Sequence, residues 1–167
     1  MLNLLYLHGL NGSLSEEKQA VLNNYFNIFA PVIDYLQADV NSIIDKIIMN
    51  NRIDLVMGTS MGGYIGYHTG RSLNIPCLLF NPAIFYKSVD INFSPVNDYK
   101  LFKNLMVIVL GKKDNIIDYN LTYQNLVLDN SIFGINFSIY SELEHRIDLQ
   151  TFKKEVENFC WLLKSEI

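Results

Sequence analysis

Gly58-Thr59-Ser60-Met61-Gly62 forms a G-x-S-x-G pentapeptide between an apolar run, residues 53–57, and a helix-like stretch, residues 64–73. A serine at the tip of a sharp strand-to-helix turn is pushed outward, and Gly58 and Gly62 remove the side chains that would collide there. Ser60 is therefore the candidate nucleophile. A glycine-rich turn that only lets a helix pack closely on a sheet would show the same letters, and the strand-helix context favours the chemical reading.

A serine hydroxyl needs a general base within hydrogen-bond reach, usually histidine. The chain has three. His68 lies eight residues beyond Ser60 in the same expected helix, roughly 12 Å along the axis, too far to act. His8 follows the first expected strand at the carboxyl edge of the sheet, where sites gather in open α/β folds, and reads better as a brace for the turn that Gly9 permits. His145 sits between the last strand and the last helix at the same edge, in a loop able to carry an imidazole over Ser60. The base needs an acceptor at its second nitrogen, normally a carboxylate. Asp114, just past the fifth strand, is the expected acid. Asp118 is the alternative, although it equally suits the N-cap of the next helix. Glu142 and Glu144 flank His145 in its own loop and are expected to face water. The oxyanion formed on ester attack needs preorganised N–H donors. Met61, at the start of the helix after the nucleophile, supplies one; Leu10 or Asn11, in the turn after the first strand, supplies the other.

Short apolar runs alternate with helix-period segments, the pattern of parallel strands covered on both faces. Six strands are expected, at residues 2–7, 27–32, 53–57, 77–80, 105–110 and 135–140. Ser13-Leu14-Ser15-Glu16 reads as a capping box for a helix with Val21, Leu22, Tyr25 and Phe26 inward. Val40, Ile43, Ile44, Ile47 and Ile48 define a second helix. Asp118 or Asn120 caps a further helix through Leu128. Phe152, Val156, Phe159, Cys160, Leu162 and Leu163 form the buried stripe of a closing one. Residues 81–104 are long for a connection and hold Pro82, Pro95, Phe85, Tyr86, Phe93, Tyr99 and Phe102. They read either as a crossover helix or as a short cap walling an acyl pocket.

At 167 residues and 50% hydrophobic, the chain is expected to form one globular domain, residues 1–167. A net charge of −4, with no Lys/Arg cluster, argues against nucleic acid. The opening residues lack the basic start and cleavage site of a signal peptide, and no stretch approaches a membrane span. Cys77 and Cys160 make neither a disulfide framework nor a metal site, so the cytoplasm is the default address. No G-x-G-x-x-G occurs, and no Gly-Lys-Ser/Thr follows Gly62, which removes the common nucleotide loops.

These residues resemble the α/β-hydrolases, and within them the small YqiA-like bacterial esterases. The likeness rests on Tyr6-Leu7-His8-Gly9-Leu10-Asn11-Gly12-Ser13, Gly58-Thr59-Ser60-Met61-Gly62-Gly63, Asn81-Pro82-Ala83, Asp114-Asn115-Ile116-Ile117-Asp118-Tyr119 and His145, and runs through most of the chain. It implies a three-layer α/β-hydrolase fold with a mostly parallel sheet and little or no lid. It further implies a Ser60, Asp114, His145 triad acting on carboxylic esters or thioesters. Those esterases tend to place glycines before the histidine and a small or apolar residue after it; here Leu143-Glu144 and Arg146 stand there. The expected strand order is second, first, third, fourth, fifth, sixth. Acyl transfer to water through Ser60 requires no metal or organic cofactor. A non-catalytic binding or scaffold module on the same fold is the rival reading, since fold does not fix function. The aromatics of residues 85–102 would suit a longer acyl groove, and Lys87, Lys112, Lys113 or Arg146 a charged leaving group such as coenzyme A.

Overall fold

A computed structural model describes residues 1–86, 88–95 and 101–165. Its six strands are β1 (Leu2–Leu7), β2 (Phe26–Phe29), β3 (Leu55–Thr59), β4 (Cys77–Phe80), β5 (Met106–Gly111) and β6 (Ile135–Tyr140). The helices are α1 (Glu16–Leu22), α2 (Val40–Asn50), α3 (Met61–Leu73), α4 (Tyr119–Val127) and α5 (Leu149–Ser165). All strand pairs are parallel, in the expected order β2-β1-β3-β4-β5-β6.

Successive side chains of a strand point to opposite faces, so a strand buried on both sides must be apolar throughout. Leu4 and Tyr6 of β1 accordingly join Met57, Phe80 and Val109 on one face, covered by Leu22 of α1 and by Phe152, Val156 and Phe159 of α5. Leu5 and Leu7 point the other way, with Val56, Leu79 and Ile108, under Val40 and Ile44 of α2, Ile65 of α3 and Leu126 of α4. The result is three layers, with every strand aiming its carboxyl end at one edge. Among the described residues, no helix is long and apolar enough to cross a membrane.

Several local expectations need correction. The capping box at Ser13 does not form: Ser15 takes the extended N-cap conformation and accepts from the Lys18 N–H at 3.4 Å. Glu16 and Glu17 then occupy the first turn, where the helix dipole favours them. Tyr25 and Phe26 lie beyond α1, and Phe26 is buried instead as the first residue of β2. That strand stops at Phe29 because Pro31 has no N–H to extend the ladder. β3 runs to Thr59 and α3 begins at Met61, which leaves Ser60 alone as the turn. Asp118 caps α4, accepting from the Asn120 and Leu121 N–H groups at 2.8 and 3.1 Å.

No crossover helix occurs among the described residues of 81–104. Residues 88–95 lie instead across α2 and α3: Val40 N–H donates to Asn92 O at 3.0 Å, and Asn41 exchanges hydrogen bonds with Ser94. Phe93 meets Tyr64 edge-on at 5.7 Å, while Phe102 is buried beside Ile132 ahead of β5. Phe85 and Tyr86 are exposed. Lys87 and Tyr99 lie outside the described residues.

Candidate active site

Ser60 sits at φ 51°, ψ −115°, a conformation unfavourable for a residue with a side chain. Three backbone hydrogen bonds hold it there. Its N–H donates to Phe80 O at 3.0 Å, and its carbonyl accepts from Tyr64 N–H at 3.0 Å and Ala83 N–H at 3.1 Å. β3, α3 and the end of β4 thus share the cost of presenting one hydroxyl. The glycines on either side are required by space. A Cβ on Gly58 would stand 2.3 Å from Gly62 O, and one on Gly62 would stand 2.2 Å from Leu7 O.

His145 Nε2 lies 3.0 Å from Ser60 Oγ, and its Nδ1 lies 2.8 Å from Asp114 Oδ2. With Nδ1 protonated, the imidazole donates to the carboxylate and leaves Nε2 to accept from the hydroxyl. The Asp114 side chain is 1% exposed against 23% for His145. Its other oxygen accepts from the Ile116 and Ile117 N–H groups, each at 2.8 Å, which fixes the carboxylate plane. Asp118, the alternative acid, is spent on its cap. Glu142 pairs with Lys113 at the surface and Glu144 is exposed. His68 packs among the rings of Tyr64, Tyr67 and Phe93 on α3.

His8 is buried, and Nε2 accepts from Ile33 N–H at 2.9 Å while Nδ1 faces Gly9 O at 2.7 Å. It joins the turn after β1 to the chain leaving β2, a bracing position with no hydrogen bond to Ser60 among the described residues. Tyr35 adds a hydroxyl donated to His8 O at 2.8 Å.

The Leu143-Glu144 departure has a structural counterpart. Leu143 is buried in the core, and its carbonyl accepts from Lys113 N–H at 3.1 Å. That carbonyl would stand 2.3 Å from a Cβ on Gly111, so the loop lies flat on the end of β5. Asn81 completes the anchoring: its amide donates to Glu144 O at 3.0 Å and His145 O at 3.3 Å, and its Oδ1 accepts from Gly111 N–H at 2.8 Å. Sequence reasoning placed Asn81 only within a family motif and gave it no role. The available signal was an asparagine directly after a strand at the carboxyl edge.

Ser60 and His145 open onto a cleft of about 660 Å³, lined also by Tyr6, Gly9, Leu10, Asn11, Lys18 and Arg146. The N–H groups of Leu10 and Met61 make no hydrogen bond among the described residues. Gly9 allows close approach here, since its Cβ position lies 3.4 Å from Ser60 Cβ. Tyr6 is buried at the cleft wall, and burial raises its phenol pKa against the opposing hydrogen bond from Thr59. From residues 81–104 the described lining is Ser88, and the described aromatics Phe85, Tyr86, Phe93 and Phe102 do not line this cleft. Of the basic residues proposed for a charged leaving group, Arg146 lines the cleft and Lys112 and Lys113 do not. Lys18, which sequence reasoning passed over, does. Among the described residues, no group of three or more His, Cys, Asp and Glu side chains is gathered as a metal site would need.

Sheet order, three layers and a serine on a strained strand-to-helix turn together define the α/β-hydrolase fold. Solved structures agree. The chain superposes on SOBER1 of Arabidopsis thaliana with a TM-score of 0.67 at 17% identity, covering 96% of this chain and 97% of that one. A carboxylesterase of Bacillus cereus gives 0.64 at 14% identity, covering 95% and 87%. Est1E of Butyrivibrio proteoclasticus, solved with ferulic acid, gives 0.68 at 13% identity, covering 96% and 88%. At these identities the likeness is one of fold. The chain belongs to the uncharacterised protein family UPF0227, whose family model matches residues 3–100. That span includes the Ser60 turn and stops before Asp114 and His145.

Proposed function

We propose that this chain is a serine hydrolase that cleaves carboxylic esters or thioesters through an acyl-enzyme on Ser60. The observation that carries the reading is the continuous hydrogen-bonded chain from Ser60 Oγ through His145 to Asp114, at the edge of an open cleft. His145 Nε2 takes the hydroxyl proton as Ser60 attacks the carbonyl, and Asp114 stabilises the imidazolium. The Met61 and Leu10 N–H groups receive the oxyanion; their freedom from other partners and the start of α3 behind Met61 support that role. His145 then protonates the leaving group, and water releases the acyl group by the same route. The names of the carboxylesterase and Est1E neighbours point the same way.

The reading takes residues 1–167 as one catalytic domain. It sets the protein in the cytoplasm, a setting that the unpaired thiols of Cys77 and Cys160 support. The test is hydrolysis of p-nitrophenyl acetate, butyrate and octanoate by wild type, Ser60→Ala and His145→Ala, each checked for folding by circular dichroism. Labelling with a fluorophosphonate runs in parallel. Turnover lost in both folded variants, with an adduct on wild-type Ser60, supports the reading. An unlabelled Ser60 in folded wild type makes the chain a binding module on the hydrolase fold.

A further inference from the structure

Two cations face the same cleft as the nucleophile. Lys18 reaches it from α1 and Arg146 from the loop before α5. The Lys18 ammonium donates to Ile147 O at 2.9 Å and lies 5.2 Å from the centre of the Phe152 ring, so its position is fixed while two of its three N–H donors are left over. The Arg146 side chain is exposed and makes no hydrogen bond among the described residues. Neither cation forms an ion pair with a described carboxylate.

Among the described residues, the acids nearby form no ion pair with either cation. Glu17 lines the cleft at one side without pairing, and Asp148 acts on Lys18 from a distance while its own oxygens serve Thr151. Burial lowers the Lys18 pKa, Asp148 opposes the change, Arg146 adds to it by repulsion, and Glu17 opposes it in turn. Arg146 repels Lys18, and an anion that reached both would relieve that repulsion. Of the charged side chains lining the cleft, Lys18 and Arg146 are basic and Glu17 is acidic, in a chain that carries −4 as a whole. Asn11, Ser13 and Ser15 line the same wall.

We propose that Lys18 and Arg146 form an anion-binding subsite beside Ser60, which selects esters bearing a carboxylate or phosphate group a few bonds from the scissile carbonyl. This rests on the serine hydrolase reading above. Arg146 supplies a planar fork matched to two oxygens, and Lys18 a compact charge. The subsite names a substrate class that apolar acyl esters do not represent.

Binding is read in Ser60→Ala, so that it can be measured whether or not wild type turns over. Isothermal titration compares monoethyl adipate with diethyl adipate, which differ by one charge at constant chain length. The monoester is expected to bind about tenfold more tightly or better, and the advantage to shrink as salt is raised. In Ser60→Ala carrying Arg146→Gln, and in Ser60→Ala carrying Lys18→Gln, the advantage falls several-fold. Lys18→Gln keeps a donor for Ile147, and the exposed Arg146 side chain has no structural partner to lose. Displacement of the monoester by inorganic phosphate or by acetate then ranks phosphate against carboxylate. Equal binding of mono- and diester, or an advantage that is undiminished in both the Arg146→Gln and the Lys18→Gln variants, overturns the subsite. In wild type, kcat/KM for mono-4-nitrophenyl adipate should exceed that for 4-nitrophenyl hexanoate. A wild type that hydrolyses neither ester, while Ser60→Ala still prefers the monoester, overturns the hydrolase reading and leaves the subsite standing.

Discussion

Asp114 divides its carboxylate between two tasks, two backbone N–H groups at one oxygen and the imidazole at the other. Replacing it by asparagine would present an amide to a ring nitrogen that must donate, favouring the wrong tautomer. On the proposed mechanism Asp114→Asn should lower kcat on the order of 10⁴-fold with little effect on KM, as in other triads. Asp118→Asn should leave kcat nearly unchanged, because asparagine also caps helices; steady-state kinetics of the two separates the acids. Asn81 acts one step further back. Asn81→Ala strands the buried Gly111 N–H, at a cost of about 1–3 kcal/mol, and frees the carbonyls on either side of His145. A displacement of the imidazole by about 1 Å would cost roughly 10²-fold in kcat, to be measured beside the urea midpoint. Ser60 was legible in the sequence because its motif is local. Asn81 and Lys18 were not, because they matter through distant atoms: Asn81 at Gly111 and Glu144, 30 and 63 residues away, and Lys18 at Ile147, 129 residues away.

At the level of elements, the strands were legible because burial on both faces leaves uninterrupted apolar runs. Their ends were less so. Pro31 shortened β2, and Ser15 rather than Ser13 opened α1, choices that depend on which N–H groups lack partners after the sheet assembles. The connection from β4 to β5 shows the same limit, since Ser94 is tied to Asn41 of α2, 53 positions earlier in the chain. Helix α5 offers a test of capping. Asp148 accepts from the Thr151 N–H at 2.8 Å and its hydroxyl at 2.7 Å, and these bonds lower its pKa below 3.8. A carboxylate with a depressed folded pKa adds stability that is present above its unfolded value and lost as pH falls through the folded one. Wild type should therefore exceed Asp148→Asn in stability at pH 6, and the difference should vanish in strong acid. Asp148→Ala, which lacks any cap, should lose about 1 kcal/mol at pH 6. Urea unfolding at pH 6 and pH 2.5 measures both.

Across the whole molecule, the parallel sheet gathers groups that the chain keeps far apart. His145 stands 85 residues after Ser60 and 31 after Asp114, and its loop is clamped by Asn81 at the end of β4. α5, which follows that loop, covers the sheet face formed by β1, β3, β4 and β5. Synthesis delivers these parts in order. A ribosome-bound chain that has reached β5 contains Ser60 and the residues of its turn, yet holds neither the imidazole nor the helix that seals the far side of the sheet. Stalled chains of increasing length, exposed to a fluorophosphonate, should therefore stay unlabelled until α5 has left the exit tunnel, and then label abruptly. Labelling of a chain arrested before His145 would show that the serine needs no base from the loop. On the proposed mechanism, Ser60 would stay inert through synthesis, and the cell would meet a reactive serine only after the loop of His145 had closed over it.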